Sequence, residues 1–153
     1  MTREQILTGI KEFFTISELV CDHTFNRYGE AAWKFLDTNY LHVLLIIRRD
    51  ILKRSMICNS RSAKQRGLRC NCCTIVKSKN TVYLTPHGFG KAGDFSVDGM
   101  TASEARELIK KNADLLPCKV RLEKWDSDGN EISWLHIDVI DEEKNPKVYE
   151  FRA

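Results

Sequence analysis

The stretch Val120-Arg-Leu-Glu-Lys-Trp-Asp-Ser-Asp-Gly-Asn-Glu-Ile-Ser-Trp-Leu-His-Ile-Asp-Val-Ile140 holds two alternating runs around an Asp128-Gly129 step. Alternation at period two puts successive side chains on opposite faces of a strand. An Asp-Gly step favours a two-residue hairpin in which both central residues take positive φ. On that register Arg121 lies opposite His136 and Glu123 opposite Trp134. Leu122, Leu135, Ile137 and Val139 then share an apolar face, and Arg121, Glu123, Trp134, His136 and Asp138 share the other. A strand face of His, Glu, Asp and Arg beside Trp is suited to lining a site.

Outward from this hairpin, further short strands are predicted at Val82 to Leu84, Phe95 to Val97, Val120 to Lys124, Trp134 to Ile140 and Val148 to Phe151. Upstream the periodicity changes. Gly29 to Leu36 and Tyr40 to Leu52 carry apolar residues at helical spacing, with Asp37, Thr38 and Asn39 as cap and turn. Thr101-Ala-Ser-Glu104 is a capping box that opens a helix running to about Asn112. The expectation is one α+β domain over residues 1–153, with helices packed on a small, mainly antiparallel sheet.

The chain's 153 residues are 42% apolar and 29% charged, with eight Gly and three Pro, which excludes disordered, collagenous and coiled-coil classes. No repeat or linker divides it. The longest apolar run, Val43 to Ile47, is too short to span a bilayer, so no membrane span is expected. The first twenty residues lack the pattern of a secretory signal, which implies cytoplasmic synthesis. Six cysteines in that setting read as reduced thiols.

The net charge of +3 is unevenly spread: Arg48 to Cys70 holds eight basic residues and one acid. That run is read as a helix's polar face followed by a solvated loop, and nucleic acid is an unlikely partner. Cys70, Cys72 and Cys73 cannot easily all ligate one tetrahedral ion, so they are read, with Cys21 and Cys58, as buried thiols. His23 and His42 are read as satisfied helix or loop histidines.

Thr85-Pro-His-Gly-Phe-Gly-Lys-Ala-Gly-Asp94 sets His87 and Asp94 seven apart around small residues that let the loop fold back. Imidazole and carboxylate can converge there on one ion, with His136 as a third ligand and a fourth position open, as in catalytic zinc sites. A hydrogen-bonded His and Asp pair is the competing reading.

These residues carry a resemblance. His87-x-x-Gly90-Lys91-Ala92-x-Asp94, with Thr85 two before the His, resembles the SxHxxGxAxD signature of the zinc D-alanyl-D-alanine carboxypeptidase family. Trp134-Leu-His-Ile-Asp138 resembles that family's later Trp-and-His strand. The family includes the VanX and VanY enzymes and phage endolysins, and the Hedgehog signalling domain shares its fold. Arg66-Gly-Leu-Arg-Cys-Asn71, Asp98-Gly-Met-Thr101 and Arg121-Leu-Glu123 are similar to small phage and prophage peptidase-like proteins. The resemblance extends from about Ile16 to Phe151.

It implies a Hedgehog/DD-peptidase-like fold, a zinc ion on His87, Asp94 and His136, and a peptidase acting on peptidoglycan stem peptides. Release to the cell wall or association with a virion is implied as well; the oligomeric state is open. Three departures stand out: Ser133 occupies the usual acidic position three before the second His, Thr85 replaces Ser, and Gly93 replaces an apolar residue. Glu123, on the His136 face, is therefore expected as general base in preference to Glu131. Arg61, after the Met56 to Cys58 segment, or Arg66 is expected to hold the developing oxyanion. A non-enzymatic zinc-fold phage structural or interaction protein is the alternative that Ser133 favours.

Overall fold

The computed structural model describes residues 1–140 and 146–153. Helix α1 (Arg3–Ile10) starts at a capping box on Thr2, and two short helices follow, α2 (Ile16–Leu19) and α3 (Asp22–Tyr28). Gly29–Phe35 forms a 3-10 helix instead of the predicted α-helix, burying Ala32 and Trp33. Asp37 accepts from the amides of Asn39 and Tyr40 to cap α4 (Thr38–Ile46). The helix then widens into a π-helical turn, Ile47–Leu52, ended by Lys53 in the left-handed region (φ 54°). The predicted element is thus present to its last residue, with altered winding over its final turn.

Strands β1 (Met56–Ile57), β2 (Ala92–Val97), β3 (Val120–Trp125), β4 (Leu135–Asp138) and β5 (Val148–Arg152) form one mixed sheet in the order β1-β2-β4-β3-β5. All pairs are antiparallel except β3 with β5. Helix α5 (Thr74–Lys77) sits in the loop between β1 and β2, and α6 (Ala102–Lys111) begins at the Thr101/Glu104 capping box. Val82 to Leu84 is not a strand. Val82 and Leu84 are 84% and 74% exposed, and β-branched content without a sheet edge to pair with does not make a ladder.

The helices cover one face of the sheet. Phe95, Val120, Leu122, Leu135 and Ile137 are fully buried there, in one apolar cluster with α1, α4 and α6. Period-two alternation consequently turns Asp94, Arg121, Glu123, His136 and Asp138 to the opposite face. Gly93 faces the helices: a Cβ on it would meet the Tyr40 hydroxyl at 2.4 Å. The phenol of α4 therefore occupies the volume that the resemblance assigns to an apolar side chain at 93.

The β3–β4 connection departs from a two-residue hairpin. Only Gly129 takes positive φ (88°), while the Asp126 carboxylate accepts from the amides of Asp128 and Asn130 and closes a longer loop. Trp125 pairs with Glu131, and Ile132 N–H still donates to the Lys124 carbonyl at 3.0 Å; Ser133 and Trp134 then leave the ladder, and pairing resumes with Arg121 opposite Asp138. The register differs from the predicted Arg121–His136 pairing by two residues. A shift of two conserves parity, so Glu123 and His136 still share a face.

No helix among the described residues is long and apolar enough to cross a membrane. In the basic run, Arg48 stacks over Phe13 at 4.6 Å and Arg49 forms a bidentate pair with Asp50, so these cations have local structural partners.

Candidate metal centre

The loop before β2 owes its shape to backbone closure. Lys91 N–H donates to the Pro86 carbonyl (2.9 Å) and Gly88 N–H to that of Thr85 (2.9 Å). Gly90 takes φ 66°, and a Cβ there would lie 2.1 Å from the Phe35 carbonyl oxygen. Only glycine lets this loop dock on the 3-10 helix, where the Gly90 carbonyl accepts from Asp37 N–H at 3.0 Å. His87 is thereby delivered beside Asp94 at the cavity end of β2. His136 arrives through pairing of β2 with β4, in which Asp94 stands directly opposite it.

One ligand atom from each of His87, Asp94 and His136 lies within 4.8 Å of the others, and all three residues are buried. His87 Nε2 is 3.5 Å from Asp94 Oδ2, and His136 Nδ1 is 2.7 Å from Asp94 Oδ1. Tetrahedral coordination at ordinary zinc–nitrogen and zinc–oxygen lengths separates donors by about 3.4 Å, so small side-chain movements suffice to admit an ion.

The remaining ring nitrogens are held from behind. His87 Nδ1 is 2.8 Å from the Gly67 carbonyl, and His136 Nε2 is 3.0 Å from Asp138 Oδ2. Asp138, fully buried, receives two hydrogen bonds from Arg121, at 2.8 and 3.0 Å. Outer partners of this kind fix the tautomer and aim the other nitrogen at a metal. The donor set of two imidazoles and a carboxylate suits a borderline divalent ion and leaves a coordination position open.

The electrostatics follow from burial and pairing. Burial alone would lower the His136 pKa, but hydrogen bonds to Asp138 and Asp94 outweigh it and raise it to about 9. His87 is lowered, chiefly by burial. For Asp94, burial works upward and is overcome by hydrogen bonds from His136 and His87, which hold it far below the usual carboxylate range. Glu123 is raised by burial, and its Oε2 lies 4.0 Å from His136 Nδ1, on the side where an ion would sit.

A cavity of about 320 Å³ opens over these groups and includes Arg69, Tyr83, Thr85, Glu123, Trp134 and Phe151 in its lining. Arg69, Tyr83 and Thr85 also wall a neighbouring cleft of about 450 Å³ bordered by Tyr28, Phe35 and Phe89. Comparisons with protein-family models, curated proteins and solved structures find no match to this chain. Its chemistry therefore rests on its own residues.

The expected arginines are not in the cavity lining. Arg61 is exposed on the Ser60–Ser62 loop, and Arg66 Nη1 donates to Ser96 Oγ at 3.1 Å. Two guanidiniums line the cavity instead: Arg121, held on Asp138, and Arg69, whose Nη2 is 3.1 Å from Asp94 Oδ2 and whose Nε donates to the Gln65 carbonyl at 2.5 Å. Sequence spacing could not separate three arginines within nine residues, because the choice is set by partners distant in sequence, Ser96 for Arg66 and Asp94 for Arg69. Glu131 is drawn to the helical side, 2.6 Å from the buried Arg106 of α6. Ser133 is exposed and outside the lining. The anchor of His136 is Asp138, legible in the sequence only as an i+2 neighbour on the same strand face.

Proposed function

We propose that the chain is a zinc-dependent peptidase of the Hedgehog/DD-peptidase-like fold that cleaves stem peptides of bacterial peptidoglycan. The observation that carries this reading is the convergence of His87 Nε2, Asp94 and His136 Nδ1, each ring held by a second partner, with the Glu123 carboxylate alongside. The cluster's donors fit zinc, which when bound supplies Lewis acidity toward a substrate carbonyl and toward water.

The protein's own groups account for the other requirements of amide hydrolysis. Glu123, half-buried and acceptor-only when ionised, takes a proton from the attacking water and returns it to the leaving amine. Arg69 offers further guanidinium donors toward the cavity while one holds Asp94, and so stabilises charge developing on the carbonyl oxygen. Arg121 orients Asp138, which orients His136. The adjoining cleft, with Tyr28, Phe35 and Phe89, supplies apolar walls for residues flanking the scissile bond.

The test is incubation of the zinc-loaded chain with defined peptidoglycan fragments, with new termini read by mass spectrometry. Cleavage that a chelator abolishes and added zinc restores is the expected result. Stoichiometric metal retention on His87, Asp94 and His136 with every fragment left intact overturns the peptidase reading. The non-enzymatic zinc-fold alternative, which Ser133 favours, would then stand.

A further inference from the structure

The second concentration of metal-binding side chains lies away from the sheet. Cys21, His23, Cys70 and Cys73 each present a donor atom within 4.8 Å of the others. Cys70 Sγ and Cys73 Sγ are 4.0 Å apart, and Cys73 Sγ is 4.0 Å from His23 Nδ1. Two sulfurs on one tetrahedral zinc are separated by about 3.8 Å, and a sulfur and a nitrogen by slightly less. The cluster is thus already near ligand geometry, and all six cysteines are free thiols.

The spacing is two paired elements, Cys21-x-His23 and Cys70-x-x-Cys73. The run Cys70 to Cys73 obscures this because Cys72 intervenes; it is exposed and its Sγ turns to Asn71 Oδ1. Cys21, Cys58 and Cys73 are buried as expected, whereas Cys70 is half-buried and Cys72 exposed, and Cys21, Cys70 and Cys73 gather with His23 in a four-donor cluster.

Backbone geometry brings the two pairs together and solvates a thiolate. Cys21 N–H donates to the Leu68 carbonyl and Leu68 N–H to that of Leu19, both at 2.9 Å, a clamp two residues from Cys70. Gly67 makes the clamp possible, since a Cβ there would lie 2.1 Å from the Leu19 carbonyl oxygen. Cys72 N–H lies 3.3 Å from Cys70 Sγ, and the Thr24 hydroxyl is 3.2 Å from Cys21 Sγ. Backbone and hydroxyl donors aimed at sulfur favour its ionised, metal-binding form.

We propose that Cys21, His23, Cys70 and Cys73 form a second, structural metal site that holds zinc in a closed Cys3His shell. Four protein donors leave no position for substrate, which is the mark of a structural centre. Its purpose is visible in the chain around it. Between β1 and β2 the only regular element is the four-residue α5, so more than thirty residues lack a ladder of their own. Connections of that length without structure of their own are uncommon inside a compact fold, and closing a long loop is where a metal clip gains most.

That segment also supports the sheet site. The Gly67 carbonyl holds His87, Arg69 holds Asp94, and the Arg66 carbonyl accepts from Asp94 N–H at 2.8 Å. The ion fastens this loop to the start of α3 and so keeps the supports of the cavity in place.

The test uses the full chain produced in cobalt-supplemented medium, because only thiolate ligation gives a strong sulfur-to-cobalt charge-transfer band. The wild-type protein and the His87→Ala and His136→Ala variants should all show the band, which separates this site from the one on the sheet. Cys72→Ser should retain it, and Cys70→Ser with Cys73→Ser should lose it together with about one bound metal per chain. Should the double variant not fold, His23→Cys keeps four donors and should shift the band without removing it. Absence of the band in reduced, cobalt-loaded wild-type protein overturns the proposal, as does a band that depends on Cys72 or a Cys70–Cys73 disulfide in protein purified under reducing conditions.

Discussion

The two donor clusters contrast in what holds them. His87, Asp94 and His136 rest on neighbouring strands, buried, backed by carbonyl and carboxylate partners, beneath an open cavity. Cys21, His23, Cys70 and Cys73 rest on loop ends and a helix start, with sulfur donors and no cavity carboxylate among them. A ladder positions side chains without help from a ligand, whereas a loop pair gains its geometry with the ion. On the proposed readings, a metal would add reactivity at the sheet cluster and structure at the thiol cluster.

The largest effect that would break this contrast is removal of a sheet ligand. His136→Ala should abolish metal binding at the sheet and all hydrolysis and leave the thiolate band intact. Its thermal transition should move down, because Asp94 and Asp138 lose their buried imidazole partner, yet stay cooperative. Collapse of the whole fold in that variant would make the sheet ion structural too. Glu123→Gln comes next: zinc content should be unchanged, and kcat should fall by a factor on the order of a hundred to ten thousand. Full activity in Glu123→Gln would remove the carboxylate from the mechanism.

Asp138→Asn tests the outer partners. Loss of such a group typically weakens metal binding by roughly 10- to 100-fold, here expected in competition with a chelating dye and confined to the sheet site. An unchanged affinity would mean that the ladder alone aims His136.

The pH dependence of the metal-free protein sharpens the comparison further. His136 is raised to about 9 in the folded state, against roughly 6.5 when unfolded. A raised pKa contributes stability that is complete below about 6.5 and is lost as pH climbs through about 9. Urea midpoints in excess chelator should accordingly decline over that window, less so in Asp138→Asn. Metal displaces the same proton, so sheet-site affinity should rise over that range.

The smallest effect concerns Tyr40, whose buried hydroxyl has no hydrogen-bond partner among the described residues. Desolvating it without a partner is unfavourable, so Tyr40→Phe should leave urea stability unchanged or raise it by about 1 kcal/mol. A clear loss would reveal a partner for the phenol.

Much of this was legible in the sequence because it depends on parity and local chemistry. The alternating runs at Val120 to Lys124 and Trp134 to Ile140 place Glu123 with His136 under any register that shifts by an even number. The capping box at Thr101 and Glu104 marks α6 to within a residue. Less legible were features set by distant chain. The loop closed by Asp126 depends on a side chain reaching across four residues, and the choice of Arg69 over Arg61 and Arg66 depends on contacts with Asp94 and His87, eighteen or more residues on. Val82 to Leu84 has strand composition, yet composition cannot supply a neighbouring edge. The pairing of Cys21-x-His23 with Cys70-x-x-Cys73 spans nearly fifty residues and becomes visible only through the Val20–Leu68 bridge.

Gly93 and Tyr40 divide one volume between a strand and a helix, and that division constrains how relatives of this chain can diverge. A chain with a larger residue at 93 must make room at both 40 and 95, so the three positions should change together. In the laboratory, Gly93→Val should be rejected alone and only partly rescued by Tyr40→Ala, because the Phe95 ring also stands 2.9 Å from a Cβ at 93. The link would let the layer beneath the metal ligands drift in sequence while the ligands themselves stay still.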